Sequence, residues 1–128
     1  MSVSLLALPI FVLGTVIGSF LNVVALRTVS GKKFYHGRSE CMHCQSKINW
    51  FDNIPIFSFL ILKGKCRSCN QSISLQYPLV EFVTGVVFML LFIQNIDLQH
   101  QFIFLILSAI LILISIIDIL EKSNIFLI

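Results

Sequence analysis

The sequence contains few charged residues. Asp, Glu, Lys and Arg make up 12% of its 128 residues, whereas hydrophobic residues make up 57%. A soluble globular domain carries about 25% charged residues. This scarcity excludes an ordinary soluble domain. Because the apolar residues form long runs, the composition predicts an integral membrane protein with one polar insert.

The first apolar run has no charged residue at all. It extends from Val3 to Leu26 and is long enough to cross about 30 Å of hydrocarbon at about 1.5 Å per residue. A cleaved signal peptide is the competing interpretation. However, no Lys or Arg precedes the run, and the apolar core of a signal peptide is only about 7–15 residues long. We therefore expect the run to remain as a first membrane helix.

Two further apolar runs predict two more membrane helices. One covers Leu79 to Ile93, with Glu81 near its start, and the other covers Phe102 to Leu120, with Asp118 near its end. The predicted fold class is therefore all-α and integral to the membrane, with about three transmembrane helices. Residues 1–26 form the first helix, residues 27–78 a polar loop, and residues 79–128 the second and third helices.

Basic residues are almost absent outside that loop. It holds eight of the nine, whereas the second loop, Gln94 to Gln101, holds none. The positive-inside rule then places the long loop in the cytoplasm and the N-terminus outside. The basic residues are scattered and two acidic residues interrupt them, so we expect no nucleic-acid partner. The eight are Arg27, Lys32, Lys33, Arg38, Lys47, Lys63, Lys65 and Arg67.

Cysteine is also scarce, and all four cysteines lie in the long loop. They form two C-x-x-C pairs, Cys41 with Cys44 and Cys66 with Cys69, and 21 residues separate the pairs. Two such pairs offer zinc a tetrahedral site of four thiolates, in the manner of a zinc ribbon. Disulfides, disfavoured in a reducing cytoplasm, and free or redox-active thiols are the alternatives. Four thiolates leave no open coordination position, so the zinc would be structural, and His43 would be a bystander.

Small and polar residues on the first helix predict a packing face. Gly14 and Gly18 are spaced so that another helix can approach closely, although membrane helices also tolerate glycine without such contact. Asn22 follows one turn later, and an amide at that depth needs a polar partner. We therefore expect this face to contact protein rather than lipid.

A short apolar stretch interrupts the polar loop. It covers Ile56 to Leu62 and is too short to cross a membrane. We expect it to lie at the membrane interface or to pack under the cysteine site, with Trp50 and Phe51 near the headgroups.

Five segments between Gly18 and Glu81 form a collinear set of motifs. They are G-S-F-L-N-V-V at 18–24 followed by Arg27, S-E-C-M-H-C at 39–44, W-F-D-N-I-P at 50–55 followed by Ser58 and Phe59, G-K-C-R-S-C at 64–69, and Y-P-L-V-E at 77–81. Together these segments resemble the type IV prepilin peptidases, which are bacterial membrane aspartic proteases.

The resemblance implies a function in leader processing. The family cleaves the leader from type IV prepilins and pseudopilins, including competence pseudopilins, at the cytoplasmic face of the bacterial plasma membrane. Many members then methylate the new N-terminus with S-adenosylmethionine, an activity associated with the N-terminal region and its loop. The implied partners are a prepilin or pseudopilin leader peptide and membrane lipid. No Gly-rich dinucleotide-type loop is present, so resemblance alone implies the S-adenosylmethionine site.

The resemblance also indicates a catalytic residue. Family members cleave with two aspartates, and the first follows an (S/T)-x-I-D pattern that S-I-I-D at 115–118 matches, so Asp118 is the candidate. The alternative is an ordinary carboxylate at a helix end, solvated with Glu121 and Lys122. Asn22, Arg27 and Glu81 are further candidates; the alternative for Glu81 is a carboxylate that favourably meets the positive end of a helix dipole.

Two departures from the family pattern limit the expected activity. Ile125 stands where the family has a proline, and the sequence contains no GxGD motif, which carries the second aspartate. We therefore expect the N-terminal part of a peptidase, an incomplete core that is inactive alone and needs a C-terminal half, in the same polypeptide or in trans. A non-enzymatic, peptidase-derived membrane protein that binds pilins or assembly partners is the main alternative. An unrelated zinc-ribbon membrane adaptor is a third hypothesis.

Overall fold

The computed structural model describes residues 3–33, 35 and 37–126. Helix α1 covers Val3–Val29, α2 covers Phe57–Ile61, α3 covers Gln76–Ile93 and α4 covers Leu98–Phe126. A single 3-10 turn covers Trp50–Asn53. In these ranges the backbone forms no strand, only two isolated antiparallel bridges, so the all-α prediction is confirmed. Residues 1 and 2 of the predicted first helix and residues 127 and 128 of the predicted last segment lie outside the described residues.

Three of the helices are long and apolar enough to cross a membrane. The candidate spans are Leu5–Val29 in α1, all of α3, and Leu98–Ser123 in α4. Helix α2 has only five residues and is far too short to span. The prediction of three membrane helices is therefore confirmed.

The helices are longer than the apolar runs that predicted them. Helix α1 continues past Leu26 to Val29, and α3 begins at Gln76 instead of Leu79. The apolar run marks only the hydrocarbon crossing, whereas backbone hydrogen bonding continues into the polar headgroup region. Helix α4 begins before Phe102 because Asp97 caps it: its Oδ2 accepts the His100 backbone N–H at 3.4 Å.

Helices α1 and α3 pack closely through glycine. A Cβ added to Gly14 would lie 2.7 Å from the Gly85 Cα, and one added to Gly18 would lie 2.9 Å from the Thr84 Oγ1. Such distances leave no room for a larger residue at either position. The predicted packing face is therefore confirmed, and mere tolerance of glycine does not explain it.

Helix α4 contributes to the core along one stripe only. Its Ile116 is buried with Leu21 and Ala25 of α1. On other faces of α4, Ile106 and Leu111 are at least 60% exposed. Helix α4 therefore presents a broad apolar surface that suits lipid or further membrane helices.

Candidate functional site

The two cysteine pairs fold into matching turns. In each, the first cysteine donates its N–H across the turn, Cys41 to Ser46 O at 3.0 Å and Cys66 to Gln71 O at 2.9 Å. In each, the residue after the pair has a positive φ, 57° at Gln45 and 58° at Asn70. An antiparallel bridge closes each turn, Glu40 with Lys47 and Lys65 with Ser72. The same backbone pattern thus repeats 25 positions later, and we call the two turns the knuckles.

The knuckles bring the four sulfur atoms together. All four Sγ atoms lie within 4.8 Å of one another. The Sγ atoms of Cys41 and Cys69 are 3.8 Å apart, and those of Cys44 and Cys66 are 4.0 Å apart. Four thiolates at about 2.3 Å from a tetrahedral zinc ion would be about 3.8 Å from each other. The donor set and its spacing therefore fit a closed tetrahedral metal site, whose ligand positions are all filled by protein.

The surroundings of three of the thiols shift their pKa values in different directions. Hydrogen bonds from the Ser46 side chain and backbone lower the pKa of Cys44 to about 6, and backbone hydrogen bonds also lower the pKa of Cys66. A hydrogen bond from the Gln71 backbone lowers the pKa of Cys69, but burial and the neighbouring thiols outweigh it and raise this pKa to about 11. Four adjacent thiolates repel each other, so a cation is needed before all four can lose their protons together.

His43 takes no part in the sulfur cluster. Its side chain is exposed, and its backbone N–H donates to the Cys41 Sγ at 3.4 Å. The cluster of potential metal ligands consists of the four cysteines alone among the residues the structure describes. This placement agrees with the expectation that His43 is a bystander.

An ion pair connects the second knuckle to the W-F-D-N-I-P segment. The Arg67 guanidinium donates to both carboxylate oxygens of Asp52, at 2.7 Å and 2.8 Å, and lies 5.5 Å from the Phe51 ring centroid. The hydrogen bond from Arg67 lowers the pKa of Asp52, so the carboxylate stays charged at neutral pH. Sequence reasoning missed this pair because the two residues lie 15 positions apart in an irregular loop.

Glu81 anchors the same segment to α3. Its Oε2 accepts the Ile56 backbone N–H at 2.7 Å, although Ile56 has a φ of 63°. Since α3 starts at Gln76, Glu81 stands in its second turn, and no acidic residue lies in the first turn. Glu81 therefore stands outside the first turn, within which the helix dipole mainly acts, and its carboxylate accepts a backbone hydrogen bond from the loop instead.

Asn22 connects α1 to the start of α3. It is 1% exposed, and its Nδ2 donates to the Tyr77 carbonyl at 3.3 Å. Its Oδ1 is buried and has no partner among the described residues. The expected polar partner thus exists, and three motif segments, those around Gly18, Ile56 and Glu81, meet at one place.

Arg27 orders the start of the loop. Its guanidinium donates to the backbone carbonyls of Gly37 at 3.0 Å and Arg38 at 3.2 Å. These hydrogen bonds hold the backbone just before the first knuckle close to the end of α1.

A cavity of about 610 Å³ opens between the helix ends and the loop. Its lining includes Asn22, Arg27 and Glu81 together with Cys41 and Cys66. A volume of that order is usual for small-molecule sites. The structure therefore gathers the three further candidates and the cysteine site around a single space.

Asp118 lies apart from this cavity. It pairs with Lys122 at 2.6 Å, and its side chain is 57% exposed, whereas Leu120 lines the cavity. Two positions along a helix correspond to a rotation of about 200°, so Asp118 points away from the cavity. The site residues predicted from the sequence thus fall into two groups. One surrounds the cavity together with the cysteine site, and the other is Asp118 alone.

Comparisons with known proteins identify relatives of this chain. The prepilin leader peptidase/N-methyltransferase of Myxococcus xanthus is 45% identical over 84 residues, covering 66% of this chain and 25% of that protein. The type 4 prepilin-like proteins leader peptide-processing enzyme of Escherichia coli O78:H11 is 41% identical over 123 residues, covering 82% of this chain and 46% of that enzyme. The Bacillus subtilis prepilin leader peptidase/N-methyltransferase is 38% identical over 79 residues, covering 62% of this chain and 32% of that protein.

The chain spans less than half the length of these relatives. No solved structure matches it at a significant level. The sequence model described as Bacterial Peptidase A24 N-terminal domain matches residues 12–95. Those residues include most of α1, both knuckles and all of α3, and the chain belongs to the family of bacterial peptidase A24 N-terminal domains.

Proposed function

We propose that this chain is the N-terminal, substrate-facing part of a prepilin leader peptidase that also carries N-methyltransferase activity. The observation that carries the proposal is the meeting of the α1, W-F-D-N-I-P and α3 motif segments beside the cysteine site, around one cavity. Family membership and the names of the relatives give the chemistry. The substrate would be a type IV prepilin or a pseudopilin, such as a competence pseudopilin.

The proposed metal is a structural zinc ion. Cys41, Cys44, Cys66 and Cys69 would hold it, and the sulfur spacing supports this assignment. A closed site of four thiolates supplies folding energy rather than a reactive position. The ion would hold the two knuckles together and so fix the loop that meets the leader peptide.

Asp118 is proposed as one of two catalytic aspartates. In such a pair one carboxylate takes a proton from water while the other, protonated, polarises the peptide carbonyl. The outward direction of Asp118, away from the α1–α3 core, leaves it accessible to an aspartate from helices beyond this chain. That second aspartate would come from a C-terminal segment, in the same polypeptide or in trans.

The cavity is the proposed place of methyl transfer. S-adenosylmethionine would supply the methyl group, and a volume of about 610 Å³ can accommodate a molecule of that size. Glu81 and Arg27 would face the ligand with opposite charges. The buried Asn22 would contribute by holding α1 against Tyr77, which also lines the cavity.

The proposed location is the bacterial plasma membrane, with the N-terminus outside and the loop in the cytoplasm. The eight basic residues from the last turn of α1 to the second knuckle support this orientation. Both the leader-binding loop and the end of α4 that carries Asp118 would then lie at the same face.

The catalytic assignment is tested by reconstitution with a C-terminal half. Co-expression with the remaining segment of the Escherichia coli relative and a prepilin should give leader cleavage. Asp118→Asn should lower the cleavage rate by at least about 1,000-fold, because one carboxylate cannot serve as both acid and base. Glu121→Gln, an exposed carboxylate one turn later, is the matched control and should cleave at the normal rate. Cleavage that survives Asp118→Asn would refute the assignment.

The same experiment separates the non-enzymatic alternative. If no partner segment restores cleavage while the chain still co-purifies with the prepilin, the chain is a pilin-binding membrane protein. Restored cleavage that requires Asp118 establishes the peptidase function instead.

A further inference from the structure

Exposed apolar side chains lie together in the middle of the loop, where the 3-10 turn contacts α2. They are between 41% and 76% exposed, although all are large and apolar. They come from the 3-10 turn, from α2 and from the residues between these elements. We call this surface the loop patch, and it consists of Trp50, Phe51, Ile54, Phe57, Leu60 and Ile61.

The loop patch is fixed at the level of the first turns of α3. The Ile56 N–H is bonded to Glu81 at 2.7 Å, and Phe57, the next residue, is the first residue of α2. Glu81 lies five positions after the start of α3, or about 7.5 Å along the helix axis. The patch therefore cannot move far from α3 while this hydrogen bond holds.

The length of α3 places those turns at the membrane boundary. Its 18 residues span about 27 Å, slightly less than the roughly 30 Å of the hydrocarbon core. Nearly the whole of α3 is therefore needed to cross, and its first turn must lie at the boundary between the headgroups and the hydrocarbon core. A segment bonded to the second turn of α3 then lies close to this boundary, in the interfacial layer, rather than above the membrane.

Charge around the loop patch complements an anionic membrane surface. Lys47, Lys63 and Lys65 lie close in sequence on either side of the patch, and all three are exposed. The loop from 27 to 78 carries eight basic side chains against two acidic ones. Apolar and aromatic side chains bordered by lysines are the usual composition of a segment that lies in the membrane interface.

We propose that the loop patch is a lipid-binding surface that inserts into the interfacial layer of the bilayer that the three helices span. The aromatic and aliphatic side chains enter the layer between headgroups and acyl chains, and the lysines contact anionic headgroups. Insertion would hold the knuckles flat against the membrane, beside the ends of α1 and α3. This inference does not depend on the proposed enzymatic function.

Trp50 makes the proposal directly testable, because it is the only tryptophan of the chain and is 76% exposed. The purified full chain with zinc is reconstituted in vesicles of phosphatidylcholine and phosphatidylglycerol, with or without lipids brominated near the headgroup end of the acyl chain. We expect a blue-shifted Trp50 emission, strong quenching by the brominated lipid and weak quenching by aqueous iodide. Water-like emission with strong iodide quenching would refute the proposal. Shielding from iodide without lipid quenching would also refute it, since a protein surface would then cover the patch.

A matched pair of leucines tests whether the patch itself causes insertion. Leu60 and Leu98 are 65% and 68% exposed, but Leu98 begins α4 at the opposite end of the membrane helices. Leu60→Ser should lower the ratio of inserted to free loop about tenfold or more, because burial of a leucine side chain is worth at least that factor. Leu98→Ser should leave Trp50 quenching unchanged. Zinc content is measured in both variants to verify folding, and equal quenching in both folded variants would overturn the proposal.

Discussion

Ile56 shows how a single residue determines the shape of the loop. Its φ of 63° is unusual for a β-branched residue, and such a conformation costs on the order of 1–3 kcal/mol. A hydrogen bond to a carboxylate contributes about 1.5–3 kcal/mol, so the bond from Ile56 to Glu81 is of the size needed to offset the strain. Glu81 thus maintains a backbone conformation that the local sequence disfavours.

Removal of the Glu81 carboxylate should release the loop from α3. In Glu81→Ala we expect the Ile56 amide to exchange with solvent at least about tenfold faster, the factor that corresponds to losing about 1.4 kcal/mol. Glu81→Gln keeps an acceptor and should give a smaller effect. Hydrogen exchange measured by mass spectrometry in detergent micelles reports the change. Glu121→Gln serves as control, and unchanged exchange in Glu81→Ala would show that another group holds Ile56.

At the level of elements, two different contacts hold the protein together. Helices α1 and α3 meet through glycines whose missing side chains allow the backbones to touch. The knuckles, in contrast, contain no buried apolar residue in the part of the chain that the structure describes. Each is closed by a few backbone hydrogen bonds and by its sulfur atoms. The helix pair should therefore depend on shape and the knuckles on a metal ion.

The metal dependence predicts that substitutions at two neighbouring residues change the zinc content differently. The wild-type chain should bind about one zinc ion, and Cys44→Ser should lose it, because a hydroxyl replaces a thiolate ligand. His43→Ala, one position earlier, should keep a full equivalent of zinc. Metal analysis of the purified proteins under reducing conditions decides the question. A wild-type value near zero would remove the four-thiolate site.

The shape dependence predicts that Gly14→Ala destabilises the helix pair. The new Cβ would lie 2.7 Å from the Gly85 Cα, so a backbone must shift at a cost of about 1–3 kcal/mol. Alanine gains about 1 kcal/mol in helix propensity, which should not compensate fully. Thermal unfolding in detergent should show a lower midpoint. Val16→Ala, at an exposed position of α1, should change it much less, and equal midpoints for both variants would contradict the packing argument.

For the whole molecule, the loop and the α3–α4 turn must lie on opposite sides of the membrane if α3 crosses it. All four cysteines lie in the loop, which makes the orientation measurable. After zinc removal, a membrane-impermeant maleimide should label inverted vesicles but not intact spheroplasts. In Gln94→Cys the additional cysteine, in the turn between α3 and α4, should be labelled from outside. Labelling of the native cysteines in spheroplasts would reverse the predicted orientation.

Much of the architecture could be read from patterns along the chain. The apolar runs predicted α1, α3 and α4 because a bilayer requires about 20 consecutive apolar residues in a helix. The C-x-x-C spacing predicted the sulfur cluster because two intervening residues return both sulfurs to one point. The helix ends were less predictable, since Asp97 and the first turn of α3 lie outside the apolar runs.

The sequence by itself determined the number of helices able to span a membrane, the four cysteines that could hold a metal ion and the family motifs, because each depends on local periodicity or spacing. Only the tertiary structure decided which motifs meet. It bonded Glu81 to Ile56 and Asp52 to Arg67, and it directed Asp118 away from the cavity. These relations depend on how helices rotate and on how an irregular loop folds back. Such geometry is fixed by contacts between residues 15 to 55 positions apart, and no short-range pattern encodes it.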